Sequence, residues 1–351
     1  MTPHQAELWL RRVATTALLL CLGVVVLGAY VRLSAAGLGC PDWPGCYGHL
    51  TPSGAVAAQA SDPSALAGQT VEVGKAWKEM IHRYLAATLG VLIVIIAALA
   101  IQFRRERIVS LPLALGLLGL VVAQGVFGML TVTWRLAPLI VTGHLLFGLS
   151  TLAMLFCLWW QLERRHDLLG SAAWQRMRVA TPVAAALALG GVVLQIALGG
   201  WTSSNYAATA CPDFPRCQGS WWPNADFHEA FVLWRGLGHN YEGGVLELGA
   251  RVAVQLTHRL GAVLLTMLLL AVAVPALRRA AQPVSRAGER SVAAAARWLL
   301  AALALQLAIG SAMVLRGFPL WLATAHNAGA ALLLLASLSF LLTARGAARR
   351  G

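Results

Sequence analysis

Apolar runs long enough to cross a bilayer recur eight times along this chain of 351 residues. A helix needs about 20 apolar residues to span about 30 Å of hydrocarbon. The runs are Val13–Leu33, Ile81–Phe103, Leu111–Trp134, Pro138–Leu162, Val179–Trp201, Val252–Leu277, Ala294–Leu315 and Leu320–Leu342. Since 58% of the residues are hydrophobic and 12% charged, an ordinary water-soluble surface is excluded. We predict an all-α integral membrane protein with eight transmembrane helices and both termini on one side.

The net charge of +13 follows the membrane topology. The basic residues cluster at both termini and in alternate connections: Arg11/Arg12, Arg104/Arg105/Arg107, Arg164/Arg165/Arg176/Arg178, Arg278/Arg279/Arg286/Arg290/Arg297 and Arg345/Arg349/Arg350. The positive-inside rule makes this side cytoplasmic. The two long connections, Ser34–Met80 and Thr202–Arg251, are then periplasmic in a bacterium, and the protein lies in the inner (plasma) membrane. No aromatic and basic platform accompanies the arginines, so we expect no nucleic-acid partner.

An internal repeat divides the chain into two halves. Cys40-Pro-Asp-Trp-Pro-Gly-Cys46-Tyr-Gly in the first long connection corresponds to Cys211-Pro-Asp-Phe-Pro-Arg-Cys217-Gln-Gly in the second, Glu79-Met-Ile-His82-Arg83 to Gln255-Leu-Thr-His258-Arg259, Gln124-Gly-Val-Phe-Gly128 to Gln306-Leu-Ala-Ile-Gly310, and His144 to His326. Each copy holds four spans and therefore has the same orientation in the membrane. We predict halves 1–170 and 171–351 as two four-helix bundles, related by a pseudo-twofold axis along the membrane normal.

Four of the nine histidines lie within the predicted spans, at repeated positions. A lone intramembrane histidine is usually a hydrogen-bonded packing residue, but His82, His144, His258 and His326 form one pair in each half. Each lies within about 10 Å of the outer end of its span, at about 1.5 Å per residue. Paired imidazoles across a helix bundle hold haem iron, and the spans offer few carboxylates or thiolates for zinc or a di-iron centre. We predict iron-bound haem on each pair.

Two positions near the histidines are informative: an arginine that is repeated in both halves, and a residue that differs between them. Arg83 and Arg259 each follow the first histidine of a pair, where a guanidinium either meets a haem propionate or extends to the membrane interface. Glu79 precedes His82 by three residues, whereas Gln255 stands before His258. Glutamine neither holds a negative charge nor takes a proton at ordinary pH. The sequence therefore predicts chemistry in the first half and a bound redox haem in the second.

The cysteines fit an oxidising compartment. Disulfides Cys40–Cys46 and Cys211–Cys217 are allowed if both loops are periplasmic, where they would set local shape or exchange thiols. A four-cysteine zinc site is the alternative. Cys21 and Cys157 lie within spans and are interpreted as small core residues.

Taken together, these motifs resemble the haem A synthase family over nearly the whole chain. The resemblance implies oxidation of the C8 methyl of haem O to the formyl group of haem A, by successive hydroxylations with water as the oxygen source. It implies haem b on His258 and His326, the substrate haem on His82 and His144, and a catalytic Glu79. The second cysteine pair departs from some members, so the sequence leaves a thiol-relay role open.

Two other classes of protein remain compatible with the same histidines. A di-haem cytochrome b that only passes electrons would use all four as ligands and would keep two tightly held haems. A haem transporter fits less well, because two fixed bis-histidine sites oppose rapid release. The sequence leaves open the electron acceptor, a homo-oligomeric state and direct transfer of substrate from a haem O synthase; membrane lipid surrounds the protein in every case.

Overall fold

The structure, a computed structural model, describes residues 2–62, 70–170, 182–282 and 287–349. Arg176, Arg178, Arg286 and Arg350, used above for topology, lie outside them. Within them the chain forms ten α-helices: α1 Pro3–Leu33, α2 Pro52–Ser61, α3 Val73–Gln102, α4 Leu111–Thr133, α5 Pro138–Gly170, α6 Pro182–Ser204, α7 Phe227–Ala230, α8 Leu248–Ala280, α9 Ala287–Leu315 and α10 Leu320–Arg349. All except the short α2 and α7 are long and apolar enough to cross a membrane. The prediction of an all-helical membrane protein with eight spans is confirmed.

Several helices extend beyond the apolar runs that predicted them. Helix α1 begins at Pro3 because Thr2 and Gln5 form a capping box at its N-terminus. Helices α3 and α8 begin at Val73 and Leu248, before the first apolar residue of each run. Glu79 and Gln255 therefore lie inside helices, not in loops.

The chain folds as two compact units. The first comprises Met1–Arg164 and Val232–Val245, and the second Arg165–Phe231 and Leu246–Gly351. In the first unit α1 packs on α3 and α3 on α4, while Arg11 of α1 donates to the Leu162 carbonyl of α5. In the second unit α8 packs between α6 and α9, and α10 contacts both α9 and α6. These contacts close a four-helix bundle in the second unit; the pseudo-twofold relation between the halves stays a prediction.

The repeat also governs how the helices end. Non-glycine residues with a left-handed backbone follow α1, α4, α6 and α9: Ala35 (φ 49), Arg135 (φ 44), Leu136 (φ 63), Tyr206 (φ 53) and Phe318 (φ 61). At each of these ends an N–H donates to the carbonyl five positions earlier, as Leu136 does to Thr131, which satisfies a terminal carbonyl. Corresponding helices of the two halves therefore stop in the same way.

A segment from the second long connection belongs to the first unit. We call Val232–Val245 the strap. Tyr241 of the strap is buried with Leu136 and Ile140, at the turn between α4 and α5, and its N–H donates to the Arg135 carbonyl over 3.1 Å. Trp234 of the strap meets Trp134 edge-on, with ring centroids 5.4 Å apart. The strap thus covers the turn that precedes the helix of His144.

Candidate functional site

Each of the four predicted histidines packs against a glycine of a neighbouring helix. The pairs are Gly28 of α1 with His82 of α3, Gly128 of α4 with His144 of α5, Gly199 of α6 with His258 of α8, and Gly310 of α9 with His326 of α10. A Cβ on these glycines would lie 2.8, 3.4, 3.1 and 2.9 Å, respectively, from Cε1 of the imidazole. Since real Cβ atoms essentially never approach closer than 3.0 Å, a side chain at Gly28 or Gly310 would displace the imidazole that faces it. The glycines form the wall against which the rings rest.

The second unit brings its two histidines together. The ring centroids of His258 and His326 lie 6.5 Å apart with an interplanar angle of 81°. Two imidazoles bound to one metal through nitrogens about 2 Å from it have centroids about 6 Å apart. The observed spacing therefore fits a bis-histidine iron. Among the described residues no group of three or more His, Cys, Asp or Glu is arranged to hold a metal, so histidine pairs are the candidate ligands.

Three of the four imidazoles carry a buried nitrogen without a protein partner. Nδ1 of His82, His144 and His326 has no hydrogen bond among the described residues. A histidine that served only packing would be expected to satisfy such an atom, because an unpaired buried polar group is costly. These rings therefore fit a group that is recognised by imidazole, such as the iron of a haem, better than a role in packing.

The exception is His258, which is held by a glutamine that the sequence pattern did not single out. The side-chain amide nitrogen of Gln195 lies 3.1 Å from Nδ1 of His258 and donates to its backbone carbonyl over 2.8 Å. Gln306 also contacts the ring and the backbone of one histidine, but it lies 3.3 Å from the other ring nitrogen, Nε2 of His326, and donates to the His326 carbonyl over 3.1 Å. Gln306 belonged to the recognised repeat; Gln195 did not, although it also stands four residues before a glycine that faces a histidine.

Both predicted disulfides are present, and the loops that they close have the same conformation. Cys40 pairs with Cys46 and Cys211 with Cys217, which leaves no thiolate for the alternative zinc site. All four cysteines are buried. Each loop ends in a two-residue turn with positive φ at both positions, Tyr47-Gly48 and Gln218-Gly219, as expected of a type I′ hairpin.

An aspartate caps each turn. Asp42 accepts from the N–H groups of Tyr47 and Gly48, and Asp213 accepts from those of Gln218 and Gly219. The hydrogen bonds from the Gly219 and Gln218 N–H groups lower the pKa of the exposed Asp213 carboxyl. Because the folded loop prefers the ionised form, this contribution is complete above the ordinary carboxyl pKa and is lost as the pH falls through the lowered value.

Arg83 binds the backbone of the first cysteine loop. One guanidinium nitrogen donates to the carbonyls of Asp42, Pro44 and Gly45, and the other donates to the carboxylate of Glu79. Arginine suits this role because its guanidinium presents five donors in a rigid fork.

Arg259 binds the second cysteine loop in the corresponding manner. It donates to the carbonyls of Arg216 over 2.7 Å, Cys211 over 3.0 Å and Pro215 over 3.5 Å. The structure thus gives both arginines a partner that the sequence did not predict, the loop backbone. Binding of a haem propionate by either arginine stays a prediction.

The two halves differ at Glu79 and Gln255. The Glu79 carboxylate is 5% exposed and accepts from the Cys40 N–H over 2.9 Å and from Arg83. Gln255 is 4% exposed, and its side-chain oxygen has no hydrogen-bond partner among the described residues. One half therefore holds a buried, ion-paired carboxylate beside its cysteine loop, one helical turn from His82, and the other half holds a neutral amide.

Comparison of the sequence with known proteins identifies a family. The chain matches the COX15-CtaA family, described as cytochrome oxidase assembly protein, over residues 11–338. It is 39% identical over 327 residues to the haem A synthase of Shewanella oneidensis, and the alignment covers 93% of each protein. This chain belongs to the haem A synthase family.

Two further haem A synthases are less similar to this chain. The haem A synthase of Caulobacter sp. (strain K31) is 29% identical over 360 residues, which cover 95% of this chain and 94% of that protein. That of Bacillus mycoides is 25% identical over 241 residues, or 66% of this chain and 67% of that protein. The resemblance inferred from the motifs is confirmed at the level of the family.

Replacing Arg83 with lysine should loosen the first cysteine loop of this haem A synthase family member without affecting the second. Lysine keeps the charge but cannot span three carbonyls and a carboxylate at once. Hydrogen bonds to charged groups contribute about 1.5–3 kcal/mol, so the Cys40–Cys46 disulfide should react about tenfold faster or more with a water-soluble phosphine. The measurement is alkylation of released thiols followed by mass spectrometry.

Arg259→Lys is the matched control and should accelerate reduction of Cys211–Cys217 alone. Equal acceleration of both disulfides in either variant would show general unfolding and contradict a local role for each arginine.

Proposed function

We propose that this protein is a haem A synthase, which oxidises the C8 methyl of haem O to a formyl group through hydroxylated intermediates, with oxygen taken from water. The proposal rests on membership of the family and on one observation in particular. Two otherwise repeated sites differ in that one has Glu79 and the other Gln255. A pair of electron-carrying haems gives no reason for a buried carboxylate at one site alone.

We assign the haem b cofactor to His258 and His326. Their ring spacing of 6.5 Å suits two axial ligands, and Gln195 and Gln306 orient the two histidine residues. When bound, haem b supplies a one-electron redox centre. The residues of the second unit would hold it in place, and none of the described carboxylates is placed beside these imidazoles as Glu79 is placed before His82.

We assign the substrate haem to His82 and His144 of the first unit. Their Nδ1 atoms are free of protein hydrogen bonds among the described residues, and Gly28 and Gly128 make room for the rings. Each hydroxylation with water releases protons and electrons, so a base must take the protons and an acceptor the electrons. Glu79 is the base in this proposal, held in place by Arg83 and the Cys40 N–H.

The setting of the reaction follows from the topology expected of the sequence. The protein would lie in the inner membrane with cytoplasmic termini and periplasmic cysteine loops, so that both haem sites are near the periplasmic face. A haem O synthase would supply the substrate and a separate oxidant would accept the electrons. Neither partner is identified by the geometry of the described residues.

Pigment extraction from the purified protein tests the proposal. A synthase should retain about one haem b per chain and, when haem O is added with an electron acceptor, yield hydroxylated haem and haem A on chromatography. A di-haem cytochrome b would instead retain two haems b and leave added haem O unchanged. That second result would remove the assignment of the first unit as a substrate site.

A further inference from the structure

A glutamine four residues before a glycine recurs on three of the four helices that face a histidine. The pairs are Gln124 and Gly128 on α4, Gln195 and Gly199 on α6, and Gln306 and Gly310 on α9. On α1 the glycine is Gly28, and the corresponding position holds Val24. Since four residues make about one helical turn, each glutamine or valine lies on the same helix face as its glycine.

The engagement of the amide differs between the two units. In the second unit Gln195 and Gln306 each contact both a ring nitrogen and the backbone carbonyl of one histidine. In the first unit the described contacts include no such contact between Gln124 and His144. The side-chain oxygen of Gln124 and Nδ1 of His144 are buried without a partner, as are the same atoms of Gln306 and His326, so the difference lies in the contact of the amide nitrogen. At His82 the facing position offers only the apolar side chain of Val24, which is 8% exposed.

We infer that Gln195 and Gln306 are positioning residues that lock the second-unit imidazoles for permanent haem binding, and that Val24 leaves His82 unlocked so that the first unit can exchange its haem. The inference rests on the proposed function and deepens it. An amide carries both a donor and an acceptor, so it restrains a ring and can meet either protonation state of the nitrogen that faces it. Partners of a ligating histidine fix its ring orientation and typically contribute 10–100-fold to metal affinity.

The difference between the sites then serves the reaction. A cofactor must stay bound through many turnovers, whereas a substrate must enter and its product must leave. A ring that keeps its rotational freedom loses more entropy when it is fixed by a ligand, which weakens binding. Val24 is thus a determinant of exchange that acts through His82.

Exchanging the two residues tests this directly. Gln195→Val is made in a His82→Ala background, so that only the second-unit haem is present, and haem transfer to excess apomyoglobin is followed by absorbance. Transfer should be about five- to tenfold faster than in His82→Ala alone, the effect of about one net hydrogen bond. The reduction potential and the electron paramagnetic resonance spectrum of the remaining haem should also shift. In the reciprocal variant, Val24→Gln in a His258→Ala background, transfer from the first unit should slow by a similar factor.

Gln195→Met separates the amide from its volume, because methionine fills similar space without hydrogen bonding. We expect it to release haem as fast as Gln195→Val and to show the same spectral shift. Wild-type release and potential in Gln195→Met would overturn the inference, as would unchanged transfer in both Gln195 variants. If the His82→Ala parent already lacks haem b, the assignment of the second unit is wrong, and that result is distinguishable because it precedes any change at Gln195.

Discussion

Glu79→Gln should lower haem A formation by about 10²–10⁴-fold, the usual contribution of a general base, while leaving the second-unit haem b in place. The substitution recreates at His82 the residue that already stands before His258, with almost no change in side-chain volume. The amide cannot take up the protons that oxidation of the methyl releases. The measurement is chromatography of haems extracted from cells that express the variant and the wild type at equal protein levels, with haem O or a hydroxylated haem expected to accumulate.

The Glu79 result needs a control for structure, because the carboxylate also accepts from Cys40 and Arg83. Reactivity of the Cys40–Cys46 disulfide in Glu79→Gln, compared with Arg83→Lys, reports any loosening of the loop. Loss of haem A with an intact loop supports a chemical role. Wild-type amounts of haem A would make Glu79 a structural residue and restore the electron-carrier interpretation.

His258→Ala and His326→Ala should each remove haem b from the protein. The two imidazoles lie 6.5 Å apart across the second unit, and loss of either leaves a single axial ligand. Loss of an outer-shell partner alone typically costs 10–100-fold in metal affinity, so loss of a ligand should lower haem b content by more than about tenfold. The absorbance spectrum should lose its low-spin bis-histidine form.

His82→Ala and His144→Ala are the matched controls, since they remove ligands from the other unit. They should keep the low-spin haem b spectrum but lose conversion of added haem O. An unchanged haem b spectrum in His258→Ala would show that the cofactor is bound elsewhere, and the roles of the two units would have to be exchanged or abandoned.

The spans and the four histidines were predictable from sequence because both depend on patterns that survive without a structure. Apolar length defines a span, and the repeat placed His82 with His258 and His144 with His326. The cysteine pairs were predictable for the same reason, since the loop motif recurs almost unchanged. The starts of helices α3 and α8 were harder to predict, because the turns from Val73 to Glu79 and from Leu248 to Gln255 are helical yet partly polar.

The contacts of the two arginines could not be predicted from the sequence. Arg83 and Arg259 bind backbone carbonyls, and a carbonyl has no residue type by which a sequence could reveal it. Gln195 was not predicted for another reason. Its counterpart in the first half is Val24, so it is not part of the repeat that includes Gln124 and Gln306. A search for glutamine four residues before glycine on each span would have found it.

The strap has a consequence for how the two halves depend on each other in synthesis. Tyr241 and Trp234 are encoded after the first five spans, yet they cover Leu136 and Trp134 in the first unit. A ribosome that has made only the first four spans has therefore not yet supplied the cover for the turn before His144. The first unit matures only when the second long connection has been translated, so a gene split between the halves would yield an N-terminal fragment with that apolar turn exposed.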